Sequence, residues 1–255
     1  MGAFRGISGA VWGANLYNMR QLYVTKVRPI ISYACAAWFN RGTGVAVPWQ
    51  LSRKLIDDLE SLQYRCLVQV SGAMAKTSYN VLLKELNIES VEVFLHRVSI
   101  AQRAQSLDTP EYKELEALWL ARLDKVPSSA RVCEHPCRVL FDDARDLAEE
   151  ARRSLLPDES AWLDTARRNR AIKRCARQRA TAAMSERWEA YRMVPGKKEC
   201  PALVEPWGPR SLRFYRGLPR AQSTMLLRCR TGRIGLRNYL FFINVDRTKV
   251  GRPRF

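Results

Sequence analysis

Four arginines recur three or four residues apart: Arg167, Arg170, Arg174 and Arg177, flanked by Arg168, Lys173 and Arg179. On a helix this spacing puts like charges on one side, where each pair repels by a few tenths of a kcal/mol. A phosphate backbone relieves that repulsion and releases its own counterions. The acidic surface of a partner protein serves the same end. Further along, Arg210, Arg213, Phe214, Tyr215, Arg216 and Arg220 interleave cations with aromatic rings. Such a pattern grips phosphates and stacks on unpaired bases. Arg230, Arg233 and Arg237 follow, punctuated by Gly232 and Gly235 as turn residues.

Other chemistry is thinly represented. Cys133, His135 and Cys137 stand close together, but three possible ligands without a fourth nearby make a poor metal site. Asp142 and Asp143 follow Leu140 and Phe141, an order shared with carboxylate pairs that hold two metal ions. Such a pair needs a hairpin between apolar strands. Here the surrounding 141–153 reads as helix, so the aspartates read as a solvated helix end. The chain has two histidines, His96 and His135, so the usual general base is scarce. It has no phosphate-binding P-loop and no Ser/His/Asp grouping.

The charge is unevenly distributed. The 255 residues carry 43 Lys plus Arg against 25 Asp plus Glu, net +18. Residues 1–109 are net +5 and residues 110–165 net −5, so the last 90 residues account for the whole excess. A basic tail beside a near-neutral front indicates two or more functional regions, the last with a polyanionic partner. The longest apolar run, around 29–39, is too short to span a bilayer, which points away from an integral membrane protein. Seven cysteines, an odd number without paired spacing, argue for a reducing compartment rather than a disulfide framework. Residues 1–56 contain no acidic side chain and so imitate a mitochondrial leader. Trp12, Trp38 and Phe39 read instead as buried anchors.

The elements that must carry these residues are helical, and the expected fold is mainly α, with no run of alternating strands. A helix over 18–31 is interrupted at Pro29. Ile56, Leu59, Leu62, Cys66, Leu67 and Val70 recur at helical spacing up to Gly72. Thr77 can cap a helix through Leu86, and Ser90 another through Ser106. Residues 160–192 form one long helix, 221–230 a shorter one, and 236–242 a last one. Leu226, Leu227, Leu236, Phe241 and Phe242 are expected in the core. Three regions follow: a helical bundle over 1–109, an acidic, proline-broken linker over 110–159, and a basic helical region over 160–255.

Two stretches carry a resemblance. The first runs from Trp12, Gly13 and Ala14 through Arg20, Gln21, Leu22 and Tyr23, then Val27 to Ala34 and Trp38. It continues with Leu62, Gln63, Cys66, Leu67, Ser71, Gly72, Ala73, Thr77, Leu82, Glu85 and Leu86. It resembles the helical thumb that follows the polymerase palm in reverse transcriptases of fungal non-LTR (LINE-type) retrotransposons. The second comprises Tyr215 to Leu218, Arg220 to Thr224, Arg230 to Leu236, Tyr239 and Leu240. It is similar to a motif near the C-terminus of the same polyproteins, just before a Cys/His knuckle. Together the two cover somewhat over half of the chain, in the family's order.

The resemblance implies a thumb and post-thumb segment that clamps a template–primer duplex. Arg20, Lys26 and Arg28 are then candidates for backbone contacts in the first stretch, and Arg220, Arg230, Arg233 and Arg237 for RNA or DNA contacts in the second. Fingers and palm, an RNase H domain and the knuckle are not in this sequence, so no family catalytic residue carries over. The chain alone is expected to be non-catalytic and without a cofactor, since Mg²⁺ belongs to the palm. The implied partners are RNA or DNA and the parent palm, not a membrane, and the implied setting is nucleus or cytoplasm. The competing reading is a self-standing helical protein-interaction module that offers the stripe from Ile56 to Val70 to a partner.

Overall fold

Asn15 starts the helix Leu16–Leu22, because its side chain accepts a hydrogen bond from the Asn18 amide at 2.9 Å and so satisfies one of the helix's orphan donors. A computed structural model of the chain describes residues 6–39, 51–123, 136–156, 160–196 and 199–233. From Asn15 the chain forms α1, Leu16–Leu22. The expected interruption at Pro29 does not occur. The helix instead widens into a π turn at Tyr23–Val27, where the Arg28 N–H reaches the Tyr23 carbonyl, and continues as α2, Arg28–Ile31. A wider turn just ahead of the proline accommodates its ring and missing donor within a continuous helical path.

After α3, Cys35–Trp38, the next long helix is α4, Arg53–Ser71. Ser52 begins it three residues ahead of the apolar stripe by accepting from the Leu55 amide at 3.3 Å. Cys66, Leu67 and Val70 are buried. Ile56 is buried with them, and Leu59 and Leu62 of the same stripe are half-buried, so most of the face that the interaction-module reading offered to a partner packs inside. α5, Tyr79–Leu86, is not capped by Thr77. The Thr77 hydroxyl donates back to the Met74 carbonyl at 2.7 Å, and Ser78 occupies the N-cap position. α6 is Val91–Ser106, α7 is Pro110–Leu123 and α8 is Pro136–Arg153.

The long helix expected over 160–192 is two helices, α9, Ser160–Leu163, and α10, Thr165–Met193. Asp164 makes the break. Its carboxylate accepts from the amides of Ala166 (2.8 Å) and Arg167 (3.3 Å), which favours a new helix start over continuation. Then come α11, Pro201–Val204, a 3-10 helix, Pro209–Tyr215, and α12, Arg220–Arg230. The fold is mainly α, and among the described residues there is one isolated bridge, Ser8 to Gly13, and no strand.

The chain divides into two compact units, each assembled from separated segments. Unit 1 takes Met1–Ile31, Asp57–Val91 and Ala183–Phe255, and unit 2 takes Ser32–Ile56 and Glu92–Ala182. The division does not follow boundaries near 109 and 159. In unit 1, Leu16, Met19, Tyr23, Leu67, Leu82, Leu83 and Leu86 are fully buried, as is Leu227. Trp188 packs with Val81 and Ala202. Trp12, expected as an anchor, is 55% exposed. In unit 2, Ala171, Ile172, Cys175 and Ala176 of α10 pack with Ala144, Leu147 and Ala151 of α8 and with Ile100, Ala101 and Ala104 of α6. Small alanines let these three helices approach closely. Phe39 is buried and Trp38 is partly exposed. The helix expected over 236–242, with Leu236, Phe241 and Phe242, lies outside the described residues.

Candidate nucleic-acid interface

With one face of α10 committed to the unit 2 core, the arginine face is turned out. Arg167, Arg170, Arg174 and Arg177 are all exposed, as is Lys173. Arg167 pairs with Asp164 at 3.5 Å. Arg170 Nε donates to the Ala166 carbonyl of its own helix at 3.2 Å, and Arg174 donates to the Ser154 hydroxyl at 3.0 Å. Among the described residues Arg170, Lys173, Arg174 and Arg177 have no carboxylate partner. Their flanking neighbours do. Arg168 pairs with Asp108 at 3.0 Å and lies over the Trp162 ring, and Arg179 pairs with Glu150 at 2.6 Å. The helix thus separates its basic side chains into a paired set and an open set.

Two of the open set, Arg170 and Arg174, border a cleft of about 500 Å³, lined also by Arg167 and Ala171 of α10, by Ala161 of α9, and by Ser154 and Leu155 after α8. Its side-chain polar groups are three guanidiniums, able to donate to phosphate oxygens, and the Ser154 hydroxyl, which donates to the Ala151 carbonyl at 2.7 Å. From Arg170 to Arg177 the helix rises about 10 Å, roughly three nucleotide steps of one strand. The α10 arginines were legible from spacing alone. Ser154, Leu155 and Ala161 were not, because tertiary packing of other elements brings them to the cleft.

The arginines proposed from the resemblance fare differently, and four have partners within unit 1. Arg20 donates to the Leu86 carbonyl at 2.5 Å and to the Asn87 carbonyl at 2.9 Å, at the C-terminal end of α5. Arg28 is buried and grips Glu89 through its carboxylate (3.1 Å) and its carbonyl (2.6 Å). Arg220 is buried and donates to the carbonyls of Gly9 (2.8 Å), Gln69 (3.1 Å) and Val70 (2.6 Å). Arg228 adds a bond to the Gly72 carbonyl at 3.0 Å. The last two therefore cap the end of α4, where the helix dipole and unpaired carbonyls favour cations. Burial, with Arg228 nearby, lowers the Arg220 pKa to about 10, so it stays charged at neutral pH.

Arg230 is the fourth, and it belongs to a buried charge network. It bonds both carboxylate oxygens of Glu85, at 2.8 and 3.0 Å, and Glu205 at 2.9 Å. Lys84 bonds the same two glutamates, at 3.0 and 2.7 Å. The Tyr215 hydroxyl donates to Glu85. Two cations and two anions leave the group neutral. Burial raises the Glu85 pKa, but hydrogen bonds from Arg230 and the Lys84 charge outweigh it and hold it below the usual range. Burial, then the adjacent Glu85, push Tyr215 up, so it remains a donor. The guanidiniums of Arg28, Arg220 and Arg230 are buried and engaged inside the protein, and that of Arg20 is half-buried.

Lys26 is exposed, on the π turn. Arg233 is half-buried and borders a cavity of about 380 Å³ with Ser78, Val81, Tyr191 and Gly232. Arg237 lies outside the described residues, as do Cys133 and His135. Asp142 and Asp143 lie well inside α8 rather than at its end. Asp142 pairs with Arg145 at 3.0 Å, and Asp143 lies 3.9 Å from His96. Adjacent helical positions aimed at separate partners do not fit a two-metal carboxylate pair. Among the described residues no three His, Cys, Asp or Glu side chains group as a metal site, and no helix is long and apolar enough to cross a membrane. Comparison with models of protein families, with curated proteins and with solved structures finds no match.

Proposed function

We propose that this chain is the thumb and post-thumb part of a LINE-type reverse transcriptase polyprotein, working in nucleus or cytoplasm. By itself it is non-catalytic and holds RNA or DNA by the phosphate backbone. The observation that carries the binding half of this reading is the exposed α10 face, where Arg170, Lys173, Arg174 and Arg177 lack carboxylate partners among the described residues and Arg170 and Arg174 line a cleft. Phosphate contacts of this kind position a duplex without reading its sequence. The family half rests on the two ordered stretches. It is compatible with a mainly helical fold, and with the exposed Val11, Trp12, Tyr17 and Ile30 of unit 1 as apolar surface for the palm to cover.

Titrating a labelled duplex against the full chain over a range of salt tests the binding reading. Duplex affinity should fall steeply with salt, with a log–log slope of about −0.9 per phosphate contacted. A flat response, or binding confined to acidic protein partners, contradicts it.

A further inference from the structure

Unit 1 carries a second basic surface, built from arginines other than those the resemblance offers as nucleic-acid contacts. The 3-10 helix Pro209–Tyr215 is anchored from below. The Ser211 hydroxyl donates to the Lys84 carbonyl at 3.1 Å, and Tyr215 donates to buried Glu85. In a 3-10 helix side chains three apart eclipse one another, with about 6 Å of rise between them. Arg210 and Arg213 therefore share one edge, which Arg216 extends at the C-cap. All three are exposed, and none has a carboxylate partner among the described residues. Glu85 and Glu205, the carboxylates of this corner, are already neutralised by Lys84 and Arg230. The charge of the arginine edge is thus left uncompensated.

On the adjoining edge of the same helix, next to Arg213 in sequence, stands Phe214. The Arg230 guanidinium lies over its ring, 4.1 Å from the centroid, and Arg230 is itself fixed by two glutamates. The ring nevertheless remains 46% exposed. An exposed phenyl ring backed by a paired cation, on a short helix that also carries three exposed arginines, complements a flat, π-rich group attached to phosphates. A duplex buries its base faces, and a free phosphate offers no face at all. An unpaired nucleotide strand offers both.

We propose that Arg210, Arg213, Phe214 and Arg216 form a binding patch for single-stranded nucleic acid, with Phe214 stacking on an unpaired base and the arginines on the adjoining phosphates. The patch uses different residues and a different form of nucleic acid from the α10 face, and it stands whether or not that face binds a duplex.

The test compares full-chain binding of a labelled oligo(U) strand and of a hairpin duplex of matched stem length, by anisotropy. Phe214→Ala should weaken oligo(U) binding about tenfold or more and leave duplex binding within about twofold. Phe214→Tyr should retain wild-type affinity. Phe214→Leu, which keeps apolar cover over Arg230 without a π face, should behave like the alanine variant while melting like the wild type, so a fold defect in the alanine variant does not decide the matter. Replacing Arg210, Arg213 and Arg216 by Gln should lower the oligo(U) salt slope by about 2. Unchanged oligo(U) affinity in the leucine variant, or equal losses on strand and duplex, overturns the proposal. Loss of duplex binding in α10 variants with Phe214-dependent oligo(U) binding intact bears only on the α10 reading.

Discussion

Arg230 in unit 1 and Arg174 in unit 2 contribute identically to the net charge and do opposite work. The first is held by two glutamates and a phenyl ring, inside the protein. The second has a serine hydroxyl and otherwise open solvent. The same contrast separates Arg20, Arg28 and Arg220 from Arg170 and Arg177. Arg20, Arg28, Arg220 and Arg230 of unit 1 close helix ends and bind carbonyls and buried carboxylates, while Arg170, Arg174 and Arg177 of unit 2 form an uncompensated edge on α10. A basic count therefore overstates the charge available to a ligand wherever helices end against buried guanidiniums.

The comparison is broken most severely by disturbing the unit 1 network. Arg230→Ala leaves Glu85 buried and short of its partner, and should destabilise the chain by about 3–5 kcal/mol in urea unfolding. Arg174→Ala should stay within about 0.5 kcal/mol in the same assay. Equal effects would erase the distinction. Next in size is the α4 end. Arg220→Met removes three bonds to buried carbonyls and should cost about 2–3 kcal/mol. Gly72→Ala adds to this comparison, because Gly72 has φ +67° and a Cβ there would lie 2.7 Å from Thr224 Oγ1. It should cost about 1–3 kcal/mol.

Acid sharpens the contrast further. Glu85 and Glu205 both have folded pKa values below the ordinary range, Glu205 because hydrogen bonds from Lys84 and Arg230 outweigh its burial. Their contribution is fully present above the unfolded carboxylate pKa of about 4.3 and is lost as pH falls through the depressed folded values. Stability attributable to the network should be constant from pH 7 to about 5 and decline below about 4. A Glu85→Gln variant should show a shallower acid decline than the wild type. A parallel decline would place the acid sensitivity elsewhere. The smallest stability effect is expected from joint replacement of Arg170, Arg174 and Arg177 by Gln, with a melting temperature close to the wild type.

Much of the helical framework was legible in the sequence. The stripe from Ile56 to Val70 follows the helical period and its helix forms there, as does the helix expected to run through Ser106. The arginine face of α10 was legible for the same reason. What escaped were local competitions and tertiary pairings. Asp164 divides one helix into two through its own side chain, and Thr77 turns back to Met74 rather than forward into α5. The π turn ahead of Pro29 leaves no signal in apolar spacing. Whether an arginine is open or engaged depends on residues far away in sequence, such as Glu85 for Arg230 and Val70 for Arg220. Phe214 and its neighbouring arginines were visible as a pattern, but the structure separates the exposed arginines from the buried ones.

The most direct measurement of the central claim is the salt dependence of duplex binding by the wild type and by the variant with Arg170, Arg174 and Arg177 replaced by Gln. The account expects a log–log slope reduced by about 2.7 in the variant, with an unchanged melt. An unchanged slope in a folded variant would contradict it, because phosphates would then be held by arginines other than the open face of α10.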